Sequence, residues 1–319
     1  MQTVLRKQAV NGVLLLDKPV GITSNAAIQR VKRLFNAAKA GHVGTLDPLA
    51  SGLLPVCLGE ATKFSTDTFS ADKSYEADVL LGVTTTTGDS EGAVLARTAV
   101  AVTQSTLVET LARFTGALQQ IPPMYSALKR DGKPLYAYAR EGQTVERAPR
   151  SITIHSIEML DFSGDRLKLD VRCSKGTYIR VLAEDIGRAL GCGASLAGLR
   201  RTSVGIFGLQ RAVTLGALEE LTLERRATCL LPVDCLVVAL DALVLSADSV
   251  AKIVLGQAAQ VEATGVAGSL LRLYDPARKF LGLGVLEAGG RLLPKRLLAV
   301  GKAAAGVSDG DGQTFPKIA

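Results

Sequence analysis

The apolar residues of this chain fall into short runs, some with the two-residue period of a strand and others with the spacing of a helix. Gly12–Leu16 is an apolar run closed by Asp17, Lys18 and Pro19, which predicts a strand that ends in a turn. Glu76–Leu81 alternates between apolar and polar residues, which predicts a half-buried strand. The two kinds of run follow each other without a regular strand-helix-strand rhythm. The sequence therefore favours an α+β fold over a parallel, doubly wound sheet.

Three segments have apolar residues at helical spacing. Thr23 or Ser24 can cap the first helix, which carries a basic stripe on its polar face. The capping-box pattern Thr106-x-x-Glu109 predicts a second helix over about 106–116. A third helix is expected over about 178–190.

The composition changes after about residue 245, so we expect two domains, the first over residues 1–245. Residues 246–300 contain short alternating runs, two of them separated by the turn signal Glu287–Gly290, which predicts a small β-rich domain. Residues 301–319 are rich in Gly, Ala and Asp and are expected to form a flexible tail.

Charge and apolar content limit the class of protein. The 319 residues are 47% hydrophobic and 21% charged, which is typical of a folded chain, and their net charge of +7 favours a polyanionic partner. The longest stretch without a charged residue, Phe114–Leu128, is too short to span a bilayer. Residues 1–10 lack the cleavage site of a signal peptide. We therefore expect a cytoplasmic protein with no membrane partner.

The sequence gives no indication of a metal or a cofactor. The five cysteines are scattered and form no C-x-x-C pair, and His42 and His155 stand apart from each other. Glycine-rich motifs that bind nucleotide phosphates are also missing. We expect buried, reduced thiols and chemistry that needs neither a metal nor a cofactor.

Glycines, hydroxyl residues and a proline are most concentrated in Ala40–Gly52. This pattern predicts a tightly shaped loop, neither helix nor strand, that carries His42 and Asp47. On the pattern alone two interpretations stay open. Asp47 either accepts local hydrogen bonds in an ordinary turn or serves as a functional group on a rigid scaffold.

Six segments contain recognisable motifs, in this order along the chain: Gly12–Pro19, Gly41–Gly52, Gln120–Lys129, Cys173–Arg180, Leu190–Ala194 and Leu199–Arg201. Together they make the chain resemble the bacterial tRNA pseudouridine-55 synthases of the TruB family, closely over about residues 10–210. The resemblance implies an α+β fold with a mixed, mainly antiparallel sheet flanked by helices. It also implies that a small RNA-binding domain of the PUA type follows the catalytic domain.

The resemblance implies that the chain isomerises uridine 55 in the tRNA T-loop to pseudouridine. Asp47 matches the family's essential aspartate. A carboxylate can attack ribose C1′ or remove the 2′ proton to give a glycal, and the sequence leaves both routes open. A carboxylate in a water-poor pocket needs a cationic partner, and Arg180 stands where the family supplies one.

A stacked uridine must leave the T-loop before it reacts, and the resemblance suggests which side chains receive it. His42 can fill the gap left in the RNA, or it can be a structural histidine. Tyr75 matches a tyrosine that stacks on the uracil and can take the last proton from C5. Tyr178 and Leu199 match other pocket contacts, although on pattern alone they would be an interfacial aromatic and a core residue. Asp89 is expected to hydrogen-bond within the pocket, with a solvated turn as the alternative.

Contacts with the rest of the RNA are expected to involve mainly phosphates. Candidate cations are Lys18, Lys63, Lys129, Arg130, Lys133, Arg140 and Arg147, several of which lie next to Tyr125, Tyr136 and Tyr138 in an RNA-binding insertion over about 120–150. Lys295 and Arg296 in the C-terminal domain are candidates for the acceptor stem.

Three functions remain to be compared. The leading one is a monomeric tRNA pseudouridine synthase that contacts the T-arm and acceptor stem, works without guide RNA and also assists tRNA folding. The second is an RNA-binding or RNA-folding module in which the basic surface matters more than the pocket. The third is a related synthase within a guide-RNA complex, which the short N-terminus and the lack of a long basic tail disfavour.

Overall fold

A computed structural model describes residues 9–65, 71–262 and 265–299. The tail expected over 301–319 lies outside these residues. The helices are α1 (Ser24–Leu34), α2 (Gln104–Ala112), α3 (Leu135–Arg140), α4 (Ile179–Ala189), α5 (Leu215–Glu220), α6 (Leu223–Ala227) and α7 (Ala247–Val254).

The strands follow the same order along the chain. The first ten are β1 (Gly12–Lys18), β2 (Ala40–His42), β3 (Ala50–Leu58), β4 (Lys73–Leu81), β5 (Val83–Thr85), β6 (Val94–Arg97), β7 (Gly116–Gln120), β8 (Lys129–Arg130), β9 (Lys133–Pro134) and β10 (Arg150–Ser163). The others are β11 (Arg166–Cys173), β12 (Ala194–Val204), β13 (Phe207–Gly208), β14 (Val213–Thr214), β15 (Leu230–Leu231), β16 (Ala242–Val244), β17 (Ala259–Gln260), β18 (Leu270–Tyr274), β19 (Phe280–Leu286) and β20 (Arg291–Leu297).

Most strands belong to one large sheet, which has 11 strands in the described part of the chain. Its main path runs β14-β1-β3-β12-β4-β11-β10-β7. Neighbours on this path are antiparallel except for β1 with β14 and β3 with β12, which are parallel. The expected α+β fold with a mixed, mainly antiparallel sheet is confirmed.

Strand β1 is buried on both faces, which explains its continuous apolar run. Leu14 and Leu16 point into a core that the sheet shares with helices α1, α2, α4 and α5. Val13 and Leu15 point into a second core on the opposite face. The expected helices at α1 and α4 are confirmed, and the Thr23 side chain caps α1 by accepting from Ala26 N–H.

Two local predictions were wrong. Helix α2 is capped by Thr103, whose hydroxyl accepts from Thr106 N–H, and it ends at Ala112 because Gly116, with φ of 100°, begins β7. The segment Ala40–Gly52 is also less irregular than expected, since Ala40–His42 form β2, which pairs with the far end of β3, and Ala50–Gly52 are the first residues of β3. Only residues 43–49 form the loop.

The small C-terminal sheet has the strand order β16-β18-β19-β20-β17, which confirms the expected β-rich segment and its hairpin between β19 and β20. It packs against the large sheet, since Leu283 belongs to the core that contains Val13 and Leu15. Phe64 stacks obliquely on Phe280, with ring centroids 5.5 Å apart. None of the helices in the described residues is long and apolar enough to span a membrane.

Candidate functional site

The loop over residues 43–49 is fixed on both sides of Asp47. Before it, the Ser24 hydroxyl at the start of α1 donates to the Leu46 carbonyl and accepts from Leu46 N–H, both at 2.8 Å. After it, the Pro48 carbonyl accepts from Gly21 N–H at 2.8 Å. The loop therefore holds Asp47 on a rigid support rather than in a solvated turn.

Asp47 belongs to a network of two carboxylates around one guanidinium. Arg180 Nη2 lies 3.0 Å from an Asp47 carboxylate oxygen, and Nη1 lies 3.3 Å from Asp89. The side chains of Arg180 and Asp89 are 7% and 3% exposed, whereas that of Asp47 is 46% exposed. Asp47 is thus the group that presents negative charge to the outside, and Asp89 is not in a solvated turn.

The remaining bonds of this network come from neutral groups. Arg180 donates to the carbonyls of Tyr125 at 2.7 Å and Thr87 at 3.0 Å. The second carboxylate oxygen of Asp89 accepts from the Thr87 hydroxyl and from Glu91 N–H. Since these donors and acceptors lie on different loops, the network joins them beneath Asp47.

Tyr75 on β4 is 7% exposed and lies directly opposite Arg201 on β12. Burial raises the pKa of its hydroxyl, and the nearby positive charge of Arg201 opposes that shift. The charge of Asp47 also acts on this hydroxyl, so the two side chains share one electrostatic environment. A neutral phenol ring beside a carboxylate is suited to receive a flat, uncharged base.

Arg201 is a residue to which the sequence analysis gave no role. It lies in the motif Leu199–Arg201, but its side chain is 1% exposed and among the largest fully buried side chains of the described residues. Its guanidinium donates to the carbonyls of Leu53 at 2.8 Å and Gly44 at 2.9 Å. The sequence shows that Arg201 belongs to a motif, but it does not show which backbone carbonyls its side chain contacts.

The other proposed pocket residues lie close in sequence to Arg180 and Arg201. Tyr178 is the residue directly before α4, and the Gln120 side-chain amide holds its backbone by donating to its carbonyl and accepting from its N–H. Leu199 lies between Ala50 on β3 and Ala77 on β4 and is partly buried.

His42 lies at the end of β2 and is partly buried. Burial first, and the charge of Arg201 second, lower the pKa of the imidazole, so the ring is neutral at neutral pH. Among the described residues its Nδ1 has no hydrogen-bond partner, although it is buried. A flat, neutral and only partly buried ring is suited to contact a nucleobase by stacking.

Lys18 differs from the expectation of a phosphate-contacting side chain. It is fully buried, and its ammonium donates to the carbonyls of Ile22 at 2.7 Å and Pro19 at 2.9 Å. Burial lowers its pKa to about 8, and the charge of Asp47 opposes that shift. Lys18 therefore acts from within the protein, close to Asp47, and presents no open face to RNA.

Exposed cations gather in the insertion formed by β8, β9 and α3. Lys129 and Arg130 are exposed, and the β8–β9 turn has the left-handed residues Asp131 and Gly132 that a two-residue hairpin favours. Arg140 lies over the Tyr136 ring, 5.4 Å from its centroid. Tyr125 and Gln120 connect the insertion to the Arg180 network and to Tyr178.

Several candidate cations are engaged within the protein, and even the exposed Arg130 donates to the Glu146 carbonyl at 2.7 Å. Lys133 pairs with Glu141 at 2.6 Å, and Arg147 donates to the Pro122 carbonyl at 3.2 Å. Lys63 pairs with Glu60 and donates to the Leu297 carbonyl, so it ties the large sheet to β20. Lys295 and Arg296 lie near the end of β20.

The described residues contain no group of histidine, cysteine and acidic side chains that could hold a metal ion. Burial raises the pKa of the Cys57 thiol to about 12 and that of Cys173 to about 11, so these thiols are poor ligands and nucleophiles. The half-exposed carboxylate of Asp47 is the acidic group of the Arg180 network that reaches the surface. Its charge acts on the hydroxyls of Tyr75 and Tyr178.

Comparisons with known proteins agree along most of the chain. Residues 32–179 match the family described as "TruB family pseudouridylate synthase (N terminal domain)". Residues 180–251 match "tRNA pseudouridylate synthase B C-terminal domain", and residues 242–298 match "Pseudouridine synthase II TruB, C-terminal".

Two similar proteins are both named tRNA pseudouridine synthase B. The protein of Aromatoleum aromaticum is 55% identical, covering 92% of this chain and 94% of its own length. The protein of Methylobacillus flagellatus is 53% identical, covering 93% and 98%.

Solved structures give the same fold at lower identity. A Cbf5-Nop10-Gar1 complex matches with a TM-score of 0.67 and 28% identity, over 89% of this chain and 80% of that chain. An H/ACA RNP bound to a substrate RNA containing 2′-deoxyuridine matches with a TM-score of 0.70 and 24% identity, over 91% and 85%.

Proposed function

The chain belongs to the TruB family of pseudouridylate synthases, and we propose that it isomerises uridine 55 in the T-loop of tRNA to pseudouridine. The observation that carries this proposal is the half-exposed Asp47 carboxylate, which a buried Arg180 holds at 3.0 Å on a loop fixed at both ends. Curated relatives at 53–55% identity are named for this class of reaction.

The proposed chemistry begins at the ribose. In one route the Asp47 carboxylate forms a bond to C1′ while the C1′–N1 bond breaks, and uracil leaves with the electron pair. The uracil then turns, C5 displaces the carboxylate from C1′, the C5 proton goes to a base, and N1 gains a proton. In the other route Asp47 removes the proton from C2′, the C1′–N1 bond breaks as the C1′=C2′ double bond of a glycal forms, and uracil leaves with the electron pair. After the uracil turns, C5 bonds to C1′ while C2′ regains its proton, C5 gives its proton to a base, and N1 gains a proton. The site is compatible with both routes because each needs one fixed carboxylate.

The walls of the site would hold the flipped base. Tyr75 supplies a buried ring for stacking and a hydroxyl that would take the C5 proton in its ionised form, which the charge of Arg201 favours against burial. Tyr178 and Leu199 would close the pocket from the start of α4 and from β12. The neutral, partly buried His42 ring would fill the gap in the T-loop at little desolvation cost.

The RNA outside the pocket would lie along the insertion. Its exposed cations, Lys129, Arg130 and Arg140, suit phosphates of the T-arm, and Lys295 and Arg296 on β20 suit the acceptor stem. We favour action without guide RNA, because the relatives above 50% identity are named as tRNA enzymes, and we propose that the protein is a monomer. Its substrate would place it in the cytoplasm.

Release of tritium from a tRNA transcript labelled at uracil C5 tests the proposal, since the C5 hydrogen leaves only when C5 bonds to C1′. We expect release by the wild type and none by Asp47→Asn, with similar tRNA affinities. Asp185→Asn, which removes a charge from an exposed ion pair on α4, serves as the control with wild-type activity. Failure of the wild type on tRNA, or equal loss of binding and activity in Asp47→Asn, would contradict the proposal.

The exposed cations of the insertion also favour a second activity, in which the protein opens the tRNA elbow and lets it refold. Extrusion of a T-loop base requires such an opening. On this view Asp47→Asn still refolds misfolded tRNA, whereas charge reversal at Lys129 and Arg140 abolishes refolding. Refolding that depends on Asp47 would contradict it.

A further inference from the structure

Arg201 occupies the centre of the large sheet and touches three parts of the site. On β12 it lies directly opposite Tyr75 of β4 and opposite Gly52 of β3. Its Nε donates to the Leu53 carbonyl at 2.8 Å, and its Nη2 donates to the Gly44 carbonyl at 2.9 Å, three residues before Asp47. The charge of the guanidinium also acts on the Tyr75 hydroxyl, which belongs to the residue directly opposite it across β4 and β12.

The partners of this buried charge are neutral. No ion pair in the described part of the chain involves Arg201, and burial accordingly lowers the pKa of its guanidinium. Removal of a cation from water without a counter-ion is costly, and an apolar side chain would fill the same space at less cost. The planar array of donors must therefore contribute something that packing alone does not.

The contact between Arg201 and the loop is close enough to constrain it. A Cβ added at Gly44, which has φ of 75°, would lie 3.1 Å from Nη1 of Arg201 and 3.4 Å from Cε of Lys73. The loop thus rests on the guanidinium on one side, while Ser24 holds Leu46 from the other. These two supports hold the residues that lead directly into Asp47, Gly44 against the guanidinium and Leu46 against the start of α1.

We propose that Arg201 is a positioning residue that fixes the Gly44 end of the catalytic loop and the Tyr75 hydroxyl with a single guanidinium. It thereby sets the separation between the Asp47 carboxylate and the Tyr75 ring. The inference rests on the proposed function, because it assigns these two groups to the ribose and the base of one uridine. Arg201 itself does not touch the substrate, and it acts through the two groups it holds.

The test compares Arg201→Lys with wild type in single-turnover tritium release and in tRNA affinity. Lysine keeps the charge but offers one donor centre instead of a planar fork, so it cannot hold the Leu53, Gly44 and Tyr75 groups together. We expect the rate to fall at least about ten-fold, with Kd within about two-fold of wild type, because misplacement of about 1 Å slows chemistry more than binding. Arg200→Lys, which weakens an Arg200–Asp17 pair on the other face of β12, is the matched control with wild-type rate.

Combination with Tyr75→Phe separates positioning from a general structural effect. If the guanidinium acts through the hydroxyl, Arg201→Lys slows the Tyr75→Phe enzyme by a smaller factor than it slows wild type. Independent, multiplying effects would overturn the inference, as would a wild-type rate in Arg201→Lys or equal losses of rate and affinity. An inactive wild type would instead contradict the proposed function itself.

If Arg201→Lys does not fold, Gly44→Ala decides the question. It removes no functional group but presses a methyl group against the guanidinium at a φ that alanine adopts only with strain. Loss of rate with unchanged Kd would support the inference, and a wild-type rate would overturn it.

Discussion

At the scale of single residues, Asp47 and Asp89 share one guanidinium but differ in exposure. Asp89→Asn would leave the 7%-exposed Arg180 with one anionic partner, and the guanidinium would turn toward Asp47. We expect the single-turnover rate to fall at least about ten-fold with tRNA affinity within a few-fold, because the variant displaces a reacting group rather than a binding surface. The rate follows from tritium release and the affinity from filter binding.

The same variant is expected to lose stability, by about 3–5 kcal/mol, because it leaves a buried charge less well paired. Asp185→Asn breaks an ion pair in which Arg188 is 76% exposed, and its free energy of unfolding should change by less than about 1 kcal/mol. Equal effects of Asp89→Asn and Asp185→Asn on the rate would show that the Asp89 carboxylate matters no more to the reaction than a carboxylate on the surface.

Because the Cys57 thiol is buried, we expect the free energy of unfolding to decrease at high pH. Its pKa is raised by burial from 9.0 to about 12, so the folded chain keeps this proton while the unfolded chain loses it. The contribution of the protonated thiol to the free energy of unfolding is complete below about pH 9. It decreases as the pH rises toward about 12, by up to about 1.4 kcal/mol per pH unit. In urea unfolding from pH 8 to 11, the free energy of Cys57→Ala should fall less steeply than that of wild type. Parallel curves would contradict the prediction.

The sequence could point to Asp47 and Arg180 because their chemical types and their motifs agree. It could not point to Arg201, because the side chain's partners are backbone carbonyls far along the chain. It also misjudged Lys18, since a lysine before a proline suggests a solvated turn and the carbonyls that bury it come from the turn itself.

At the scale of elements, β3 and β12 approach each other at a glycine. A Cβ on Gly52, with φ of 97°, would lie 2.3 Å from the Arg201 carbonyl oxygen, so Gly52→Ala must separate the two strands. We expect a loss of more than about 2 kcal/mol in urea unfolding, through strain and lost pairing. Gly164→Ala, in an open turn with φ of 62° and no nearby atom, should cost only about 1 kcal/mol. Similar losses of unfolding free energy in Gly52→Ala and Gly164→Ala would show that only backbone strain, and not contact with β12, matters at Gly52.

Helices and strands with a regular spacing of apolar residues were predictable from the sequence, but the residues at which they begin and end were not. The helix at α2 was expected from Thr106 and Glu109, yet Thr103 caps it, because three threonine and serine residues in this segment offer competing caps. The short strand β2 was missed because Gly41 weakens a strand pattern, and only pairing with β3 makes the segment extended.

At the scale of the whole molecule, a change in composition located the C-terminal sheet but did not show how it is attached. The attachment depends on alternate residues of β1, residues before β4 and residues of β19, which are far apart in sequence. Phe64, Phe280 and Leu283 fill one core with Val13 and Leu15, and Lys63 bonds to the Leu297 carbonyl. A composition window cannot detect a core that two segments share.

This shared core predicts that the two sheets unfold together. Leu273 is fully buried in the small sheet's own core, away from the shared one. Leu273→Ala should cost about 2–5 kcal/mol. If the small sheet opens only with the large one, Leu273→Ala should lower the free energy of opening, measured by hydrogen exchange, equally in both sheets. The slowest amides of β3, β4 and β12 should then lose as much protection as those of β18 and β19. If the small sheet opens alone, β18 and β19 will lose protection while the large sheet keeps its own. The active site and the proposed acceptor-stem surface would then be two independently folding bodies rather than one rigid frame.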